Sequence, residues 1–177
     1  TSLSNPTILN YISKQAKPKG KKIGVHIKVD TGMSRLGVKP EKFLHLFENV
    51  VNDNNLTLEG IFTHLARADE ENVHPTDSQI STFLKVLKTS FNDDFTELIR
   101  INSPLLVHSA NTAGLLRFPK SRFNMVRPGI SLYGSLPSSV LNETLNKLLL
   151  RKGLTGFQPV MHWKTKIIQI QTIKKGT

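Results

Sequence analysis

The stretch FNMVRPGISLYG, which begins at Phe123, carries residue types suited to binding an anion. Alternate residues from Phe123 onward predict a short strand that ends in Arg127, where Pro128 interrupts regular pairing. Gly129 has no Cβ, and the backbone N–H groups of Gly129 and Ile130 follow the arginine, so an anion can approach the main chain closely. The same pattern also fits a strand that ends in a solvated arginine and a turn.

Three further polar residues, Lys28, His64 and Thr112, stand where a predicted strand gives way to a loop. In parallel α/β folds the carboxyl edge of the sheet is where ligands bind. Taken singly, Lys28 and His64 also fit satisfied interior polar residues, and Thr112 fits a helix cap. Together with Arg127 they predict a ligand site at this edge.

The elements that must position these residues alternate between strands and helices. Apolar periodicity predicts four strands, over 23–29, over 58–65, over 105–111 and from Phe123. Periodicity and capping signals predict four helices, which begin at Asn5-Pro6, near Pro40, at a Thr76–Gln79 capping box and around Leu115. This alternation predicts β/α units in a parallel sheet with right-handed crossovers.

The character of the sequence changes after residue 134. Residues 135–159 are predicted to form a linker, with a helical turn at Leu145 to Leu150. In 160–177, apolar residues alternate from Met161 to Ile167 and then change phase at Ile168, which predicts a strand with a bulge that leaves the α/β layer. We therefore expect three parts, at 1–134, 135–159 and 160–177.

The composition is that of one soluble globular domain: 177 residues, 38% hydrophobic, 21% charged and no cysteine. No membrane-spanning run or signal peptide is predicted, so cytoplasmic location is expected. The net charge is +11, but the lysines form loop-like clusters without interleaved aromatic residues, which predicts solvated surface and no nucleic-acid partner. The spacing of the histidines predicts no metal site.

Four blocks together closely resemble the alanine racemase family: KVDTGMSRLGV (28–38), GIFTHLARADE (60–70), HSANTAGLLRFP (108–119) and FNMVRPGISLYG (123–134). The resemblance implies a homodimeric enzyme that uses pyridoxal 5'-phosphate (PLP), built from a (β/α)8 TIM-type barrel and a C-terminal β domain. Its reaction would interconvert L-alanine and D-alanine by two-base proton transfer, in the cytoplasm, for peptidoglycan synthesis. This chain would be the C-terminal half of the barrel plus an exit strand.

The resemblance also implies roles for cavity residues. Arg127 would face the pyridine nitrogen of PLP, and because a guanidinium cannot supply a proton near neutral pH, that nitrogen would stay unprotonated. His64 would lie beside the cofactor ring and contact Arg127. The implied phosphate cradle has four members: Asn111, Thr112, Gly129 and Ile130, with threonine in place of the expected serine.

Three residues of the first block would act on the substrate side. Arg35 would lie near the substrate carboxylate and the phenolic oxygen of the cofactor, since a guanidinium pairs with planar anions at two points. Lys28 matches a supporting lysine that is carbamylated in some members of the family, and Asp30 would be a partner behind it. Without the resemblance, Arg35 also fits a solvated loop residue.

The departures from the family pattern limit what this chain is expected to do. The family's Schiff-base lysine lies in a KANAYGHG-like motif, and neither that motif nor the catalytic tyrosine of the C-terminal domain is found in the sequence. Since racemisation needs a base on each face of Cα, we expect this chain alone to be inactive and to need the missing barrel half and C-terminal domain. Two alternatives stay open: another PLP barrel racemase, for serine or a broader set of amino acids, and a non-catalytic module that binds PLP or another anion.

Overall fold

The computed structural model describes residues 1–91, 97, 100, 103–154 and 156–176. Within them lies a four-stranded sheet: β1 (Ser2–Leu3), β2 (Ile23–Lys28), β3 (Leu56–Phe62) and β4 (Leu106–His108). The strands are all parallel and lie side by side in chain order. Every connection between them must therefore cross over the sheet, as the sequence predicts.

Five α-helices accompany the described strands: α1 (Pro6–Ala16), α2 (Phe43–Val51), α3 (His74–Phe91), α4 (Thr112–Arg117) and α5 (Ser139–Arg151). Short 3-10 turns occupy Lys17–Lys19, Pro40–Lys42, Pro119–Ser121 and Ile130–Tyr133. Helix α1 begins as predicted, because the Asn5 side chain accepts a hydrogen bond from the Ile8 N–H at 3.0 Å and Pro6 occupies the first turn.

The two faces of the sheet differ in character. Val25, Ile27 and Val29 point to the helices and are fully buried in one apolar core with residues of β3, β4 and α1 to α3. The opposite face carries a row of polar and aromatic residues, because the parallel register aligns Lys28 with Phe62 and Phe62 with His108. The alternation of β2 thus gives the sheet a hydrophobic side, which stabilises the fold, and an opposite polar side, which is available for a site.

The predicted strand from Phe123 to Arg127 is wrong in detail. Only an isolated bridge between His108 and Met125 forms there, and Phe123 has a φ of 33°, which breaks the extended conformation. The Asn124 side chain instead makes the hydrogen bonds that a neighbouring strand would make with the backbone at β4. Its Oδ1 accepts from the Val107 N–H at 2.7 Å, and its Nδ2 donates to the Leu105 carbonyl at 2.9 Å.

The predicted capping box of α3 is also wrong. The helix begins at His74, whose N–H donates to the Asn72 side chain at 3.1 Å, so that Thr76 lies inside the first turn. Thr76 is fully buried, and its hydroxyl has no hydrogen-bond partner among the described residues. Gln79, the other half of the predicted box, is used elsewhere. The preceding strand runs from Leu56 to Phe62 rather than over 58–65.

The segment after residue 134 differs most from expectation. The predicted linker contains the 13-residue helix α5. Leu141 and Leu145 of this helix are buried, and Leu141 belongs to a second apolar cluster with Leu65 and Phe118.

Residues 156–173 form neither helix nor strand, and Trp163 is 87% exposed, so the predicted bulged strand is not formed in this structure. A strand needs a neighbouring backbone to pair with, and none of the described segments supplies one there. The division into 1–134, 135–159 and 160–177 stays a prediction. In the part of the chain that is described, no helix is both long and apolar enough to cross a membrane.

Candidate functional site

A cavity of about 540 Å³ opens at the carboxyl ends of β3 and β4. It is lined by all six residues predicted to bind a cofactor: His64, Asn111, Thr112, Arg127, Gly129 and Ile130. Asp69, Ala113, Pro128 and Pro137 complete the described lining. Of the four predicted strand-end residues, the structure therefore brings His64, Thr112 and Arg127 together at this cavity, whereas Lys28 lies outside its described lining.

One wall of the cavity is a hydroxyl and backbone arrangement built on Thr112. Its Oγ1 accepts from the Gly129 N–H at 2.9 Å and lies 3.3 Å from the Ser131 hydroxyl. A Cβ added at Gly129 would meet its nearest atom, the Thr112 Oγ1, only at 3.9 Å, so the main chain is open to close approach from the cavity. Asn111 positions this wall by accepting from the Gly114 N–H at 2.9 Å and donating to the Leu65 carbonyl at 3.2 Å.

Arg127 is held from three sides by neutral groups. Its Nη2 donates to the carbonyls of Thr63 at 2.9 Å and Ser109 at 3.3 Å, and its Nη1 donates to the Nδ1 of His108. The guanidinium also lies 5.3 Å from the centre of the Phe62 ring, within cation–π distance. No hydrogen bond described for Arg127 reaches His64, so the predicted contact between these two residues is not made through one.

Two histidines missed by the sequence analysis extend this arrangement. Since His108 accepts from Arg127 at Nδ1, its proton is on Nε2, which donates to the Nδ1 of His26 at 3.0 Å. The His108 ring stacks on Phe62, with centroids 4.7 Å apart. The signal that could have found them is the alternation of β2, which places His26 on the same face as Lys28.

The electrostatics keep the imidazoles neutral. Burial, the nearby Arg127 charge and His26 lower the pKa of His108 to about 3. Burial and the charges of Arg127, Lys28 and Arg35 also lower the pKa of His64. The cavity wall is therefore cationic at Arg127 while its imidazoles carry no charge at neutral pH, a combination that favours an anionic ligand. Within the described residues no group of three or more metal-ligating side chains occurs.

The residues assigned to the substrate side lie on and after β2. Burial and the Arg35 charge lower the pKa of Lys28, whose side chain is buried with its Nζ 6.0 Å from the centre of the Phe62 ring. Burial opposes ionisation of Asp30, but hydrogen bonds from the N–H groups of Ser34 and Gly32 lower its pKa. Asp30 thus shapes the loop that carries Arg35, which is exposed and outside the described lining of the cavity.

A parallel sheet with crossover helices and a cavity at the strand ends defines an α/β protein of the class that includes the (β/α)8 barrel. A family model described as the N-terminal domain of alanine racemase matches residues 1–137. The chain therefore belongs to the alanine racemase family.

Relatives and solved structures agree with this assignment. Over 173 residues the chain is 36% identical to the alanine racemase of Treponema denticola, covering 96% of this chain and 41% of that protein. The alanine racemase of Methanococcus maripaludis is 38% identical over 171 residues, with coverage of 96% and 42%. An alanine racemase of Clostridium difficile 630 in complex with cycloserine has a TM-score of 0.68 and 32% identity, covering 78% of this chain and 36% of that one. The chain thus spans about two fifths of the length of these relatives.

Proposed function

We propose that this chain forms the PLP-binding and substrate-orienting part of a cytoplasmic, homodimeric alanine racemase that supplies D-alanine for peptidoglycan. The observation that carries the proposal is the convergence of the six expected cofactor residues on one cavity. Its volume falls within the range of small-molecule sites, roughly 300–1,000 Å³. The other functions considered, a racemase for serine or other amino acids and a non-catalytic anion-binding module, are distinguished by the experiments below.

The residues present fit PLP on the chemistry of the cavity. A phosphate needs hydrogen-bond donors and a backbone that it can approach closely, and the Thr112 hydroxyl and the open face of Gly129 meet that need. The cationic Arg127 and the neutral His64 line the same cavity, which also includes Asp69, so Arg127 supplies the attraction for an anion there. Bound PLP supplies an electron sink for the negative charge that develops at Cα of an amino acid when its proton is removed.

Arg127 controls how strong that sink can be. Since its charge is held by two carbonyls and a neutral imidazole, the side chain is fixed in orientation and remains a hydrogen-bond donor. It cannot serve as a proton source near neutral pH. An arginine facing a pyridine nitrogen would therefore hydrogen-bond to that nitrogen without protonating it.

Arg35 and Lys28 orient the substrate in the proposal. Arg35 would pair with the substrate carboxylate. The lowered pKa of Lys28 increases the fraction of neutral amine, which can attack the carbon of CO2: an N–C bond forms, one C–O π pair moves to oxygen, and the amine loses a proton. The resulting carbamate anion would be attracted to Arg35, whose charge now disfavours the protonated amine.

Catalysis by the whole protein requires two bases that we do not assign to this chain. The lysine that binds PLP covalently and the tyrosine on the opposite face of Cα are expected from the missing barrel half and from the C-terminal domain. Purified protein that racemises L-alanine without either group would overturn this part of the proposal.

The test of the cofactor site is a PLP titration of the purified protein in moderate salt, followed by absorbance and equilibrium dialysis. Wild-type protein should bind PLP saturably. Thr112→Val, which removes the hydroxyl that accepts from the Gly129 N–H, should weaken binding about tenfold or more, equivalent to about 1.4 kcal/mol. Thr112→Ser should bind like wild type, and Thr57→Val, at an exposed position of β3, is the matched control.

Three outcomes would contradict the proposal or redirect it. Absence of saturable PLP binding, or equal binding by wild type and Thr112→Val, would refute the cofactor site. Tight binding to duplex DNA that weakens steeply with salt would instead support an anion-binding module. In the whole protein, faster α-proton exchange with serine than with alanine in deuterated water would support a racemase of different specificity.

A further inference from the structure

Gln79 of α3 is buried between the two loops that follow β2 and β3, with 5% of its surface exposed. Its Oε1 accepts from the Ala66 N–H at 2.9 Å, and its Nε2 donates to the His64 carbonyl at 3.0 Å. The same Nε2 lies 3.3 Å from the hydroxyl of Thr31, in the loop after β2. One amide therefore bonds to both loops and uses both ends to do so.

The donors along this connection can be assigned one after another. The Thr63 hydroxyl donates to the Val29 carbonyl at 2.8 Å, so the 2.7 Å contact between the Thr31 and Thr63 hydroxyls has Thr31 as donor. Thr31 is then left to accept from Gln79. The amide cannot be reversed, since its oxygen would face the His64 carbonyl. This directed series joins α3 to the ends of β2 and β3.

The two loops carry residues with separate tasks in the site. His64 lines the cavity, and Arg35 lies on the loop that starts at Thr31. Gln79 also packs against that loop, because a Cβ added at Gly32 would lie 3.4 Å from the Gln79 Cγ. The amide also stabilises both loops, because an apolar side chain of similar volume would leave the Ala66 N–H and the His64 carbonyl without this partner.

We propose that Gln79 is a positioning residue that fixes the His64 loop and the Arg35 loop relative to each other, so that both side chains meet the same ligand. This inference rests on the proposed function, which assigns those side chains to PLP and to the substrate. Gln79 acts through the two loops and need not touch the ligand itself.

The test uses the purified protein without ligand and then with PLP, in the variants Gln79→Leu and Gln79→Glu. The control is Gln15→Leu at an exposed position of α1. The first readout is the titration of His64 by NMR, assigned with His64→Gln. Freed from Gln79, the loop should lose the burial and move away from the cationic groups that together lower the pKa of His64, and that pKa should rise toward its ordinary value of 6.5.

The second readout is PLP affinity. Gln79→Leu should weaken it at least fivefold at every pH. Gln79→Glu should be equally weak when ionised, because a carboxylate cannot donate to the His64 carbonyl. It should recover toward wild type as the pH falls and the protonated acid both donates to His64 and accepts from Ala66. A merely structural amide would lose and recover only the free energy of unfolding over this pH range, and the PLP affinity of the folded Gln79→Glu protein would stay that of wild type.

The inference is overturned if folded Gln79→Leu titrates like wild type at His64, or if Gln79→Glu shows no recovery at low pH. If both Gln79 variants fail to fold, Thr31→Val decides the matter, since it removes the hydroxyl link and leaves α3 intact: an unchanged His64 titration would overturn the inference. If wild type binds no PLP, the proposed function fails, while the His64 titration still tests the role of Gln79.

Discussion

The buried imidazole of His108 should make the folded protein sensitive to acid. Its pKa is about 3 in the folded protein and 6.5 for the ordinary group, so between these pH values the unfolded chain binds a proton that the folded chain does not. Stability therefore falls as the pH falls through this window. Integrating the proton difference from pH 7 to pH 4 gives a loss of about 3 kcal/mol from this one group.

The assay is urea unfolding followed by circular dichroism at pH 7 and pH 4, for wild type and His108→Asn. The variant keeps an oxygen that can accept from Arg127 and cannot titrate, although it loses the ring stacked on Phe62 and should be less stable at pH 7. Other groups also respond to acid, so the quantity compared is the loss of stability between the two pH values. It should be larger in wild type than in His108→Asn by about 3 kcal/mol. Equal losses would refute the assignment of a buried neutral His108, and His45→Asn at an exposed site of α2 is the matched control.

Two further substitutions test the packing that supports the site. Gly60→Ala should destabilise the protein by about 1–3 kcal/mol and disturb the His26 resonance, because the new Cβ would lie 2.7 Å from a β4 carbonyl and against the imidazole of His26. Gly24→Ala meets only the movable end of an exposed glutamate as its nearest atoms, so an equal effect there would refute the reasoning. Asn124→Leu should expose the Val107 N–H at a cost of about 1–3 kcal/mol, and unchanged hydrogen exchange at Val107 would contradict its role.

Elements whose signals are local could be predicted from the sequence. Asn5 caps α1 through a residue three positions away, and the alternation from Ile23 to Lys28 describes β2 correctly. The segment at Phe123 shows the same kind of alternation but forms only one bridge. Beside that bridge, the Asn124 side chain makes the hydrogen bonds to the Val107 N–H and the Leu105 carbonyl, and no periodicity distinguishes such a side chain from a backbone ladder.

In the site, too, residues with local sequence signals could be predicted, and residues whose roles depend on distant partners could not. His64 and Thr112 could be predicted because each follows a strand, and parallel strands bring their carboxyl ends together. The cradle of Asn111, Thr112, Gly129 and Ile130 was implied by the resemblance to the alanine racemase family. His108 and Gln79 were missed because their roles depend on partners far away in sequence: Arg127 for the first, and Thr31 and His64 for the second. The sequence predicts Gln79 as a capping-box residue, whereas in the structure its amide makes hydrogen bonds to two loops.

The partners of Arg127 give the strongest physical reason to expect an anionic ligand. Arg127 is partly buried, and a guanidinium removed from water in this way is costly unless its charge is compensated, most often by a carboxylate. The described hydrogen bonds of Arg127 all go to neutral acceptors, and its main imidazole neighbour is held uncharged by burial and by the arginine itself. The guanidinium is thus held in orientation while its charge stays uncompensated by these partners, which is the arrangement expected where a ligand supplies the missing negative charge or acceptor.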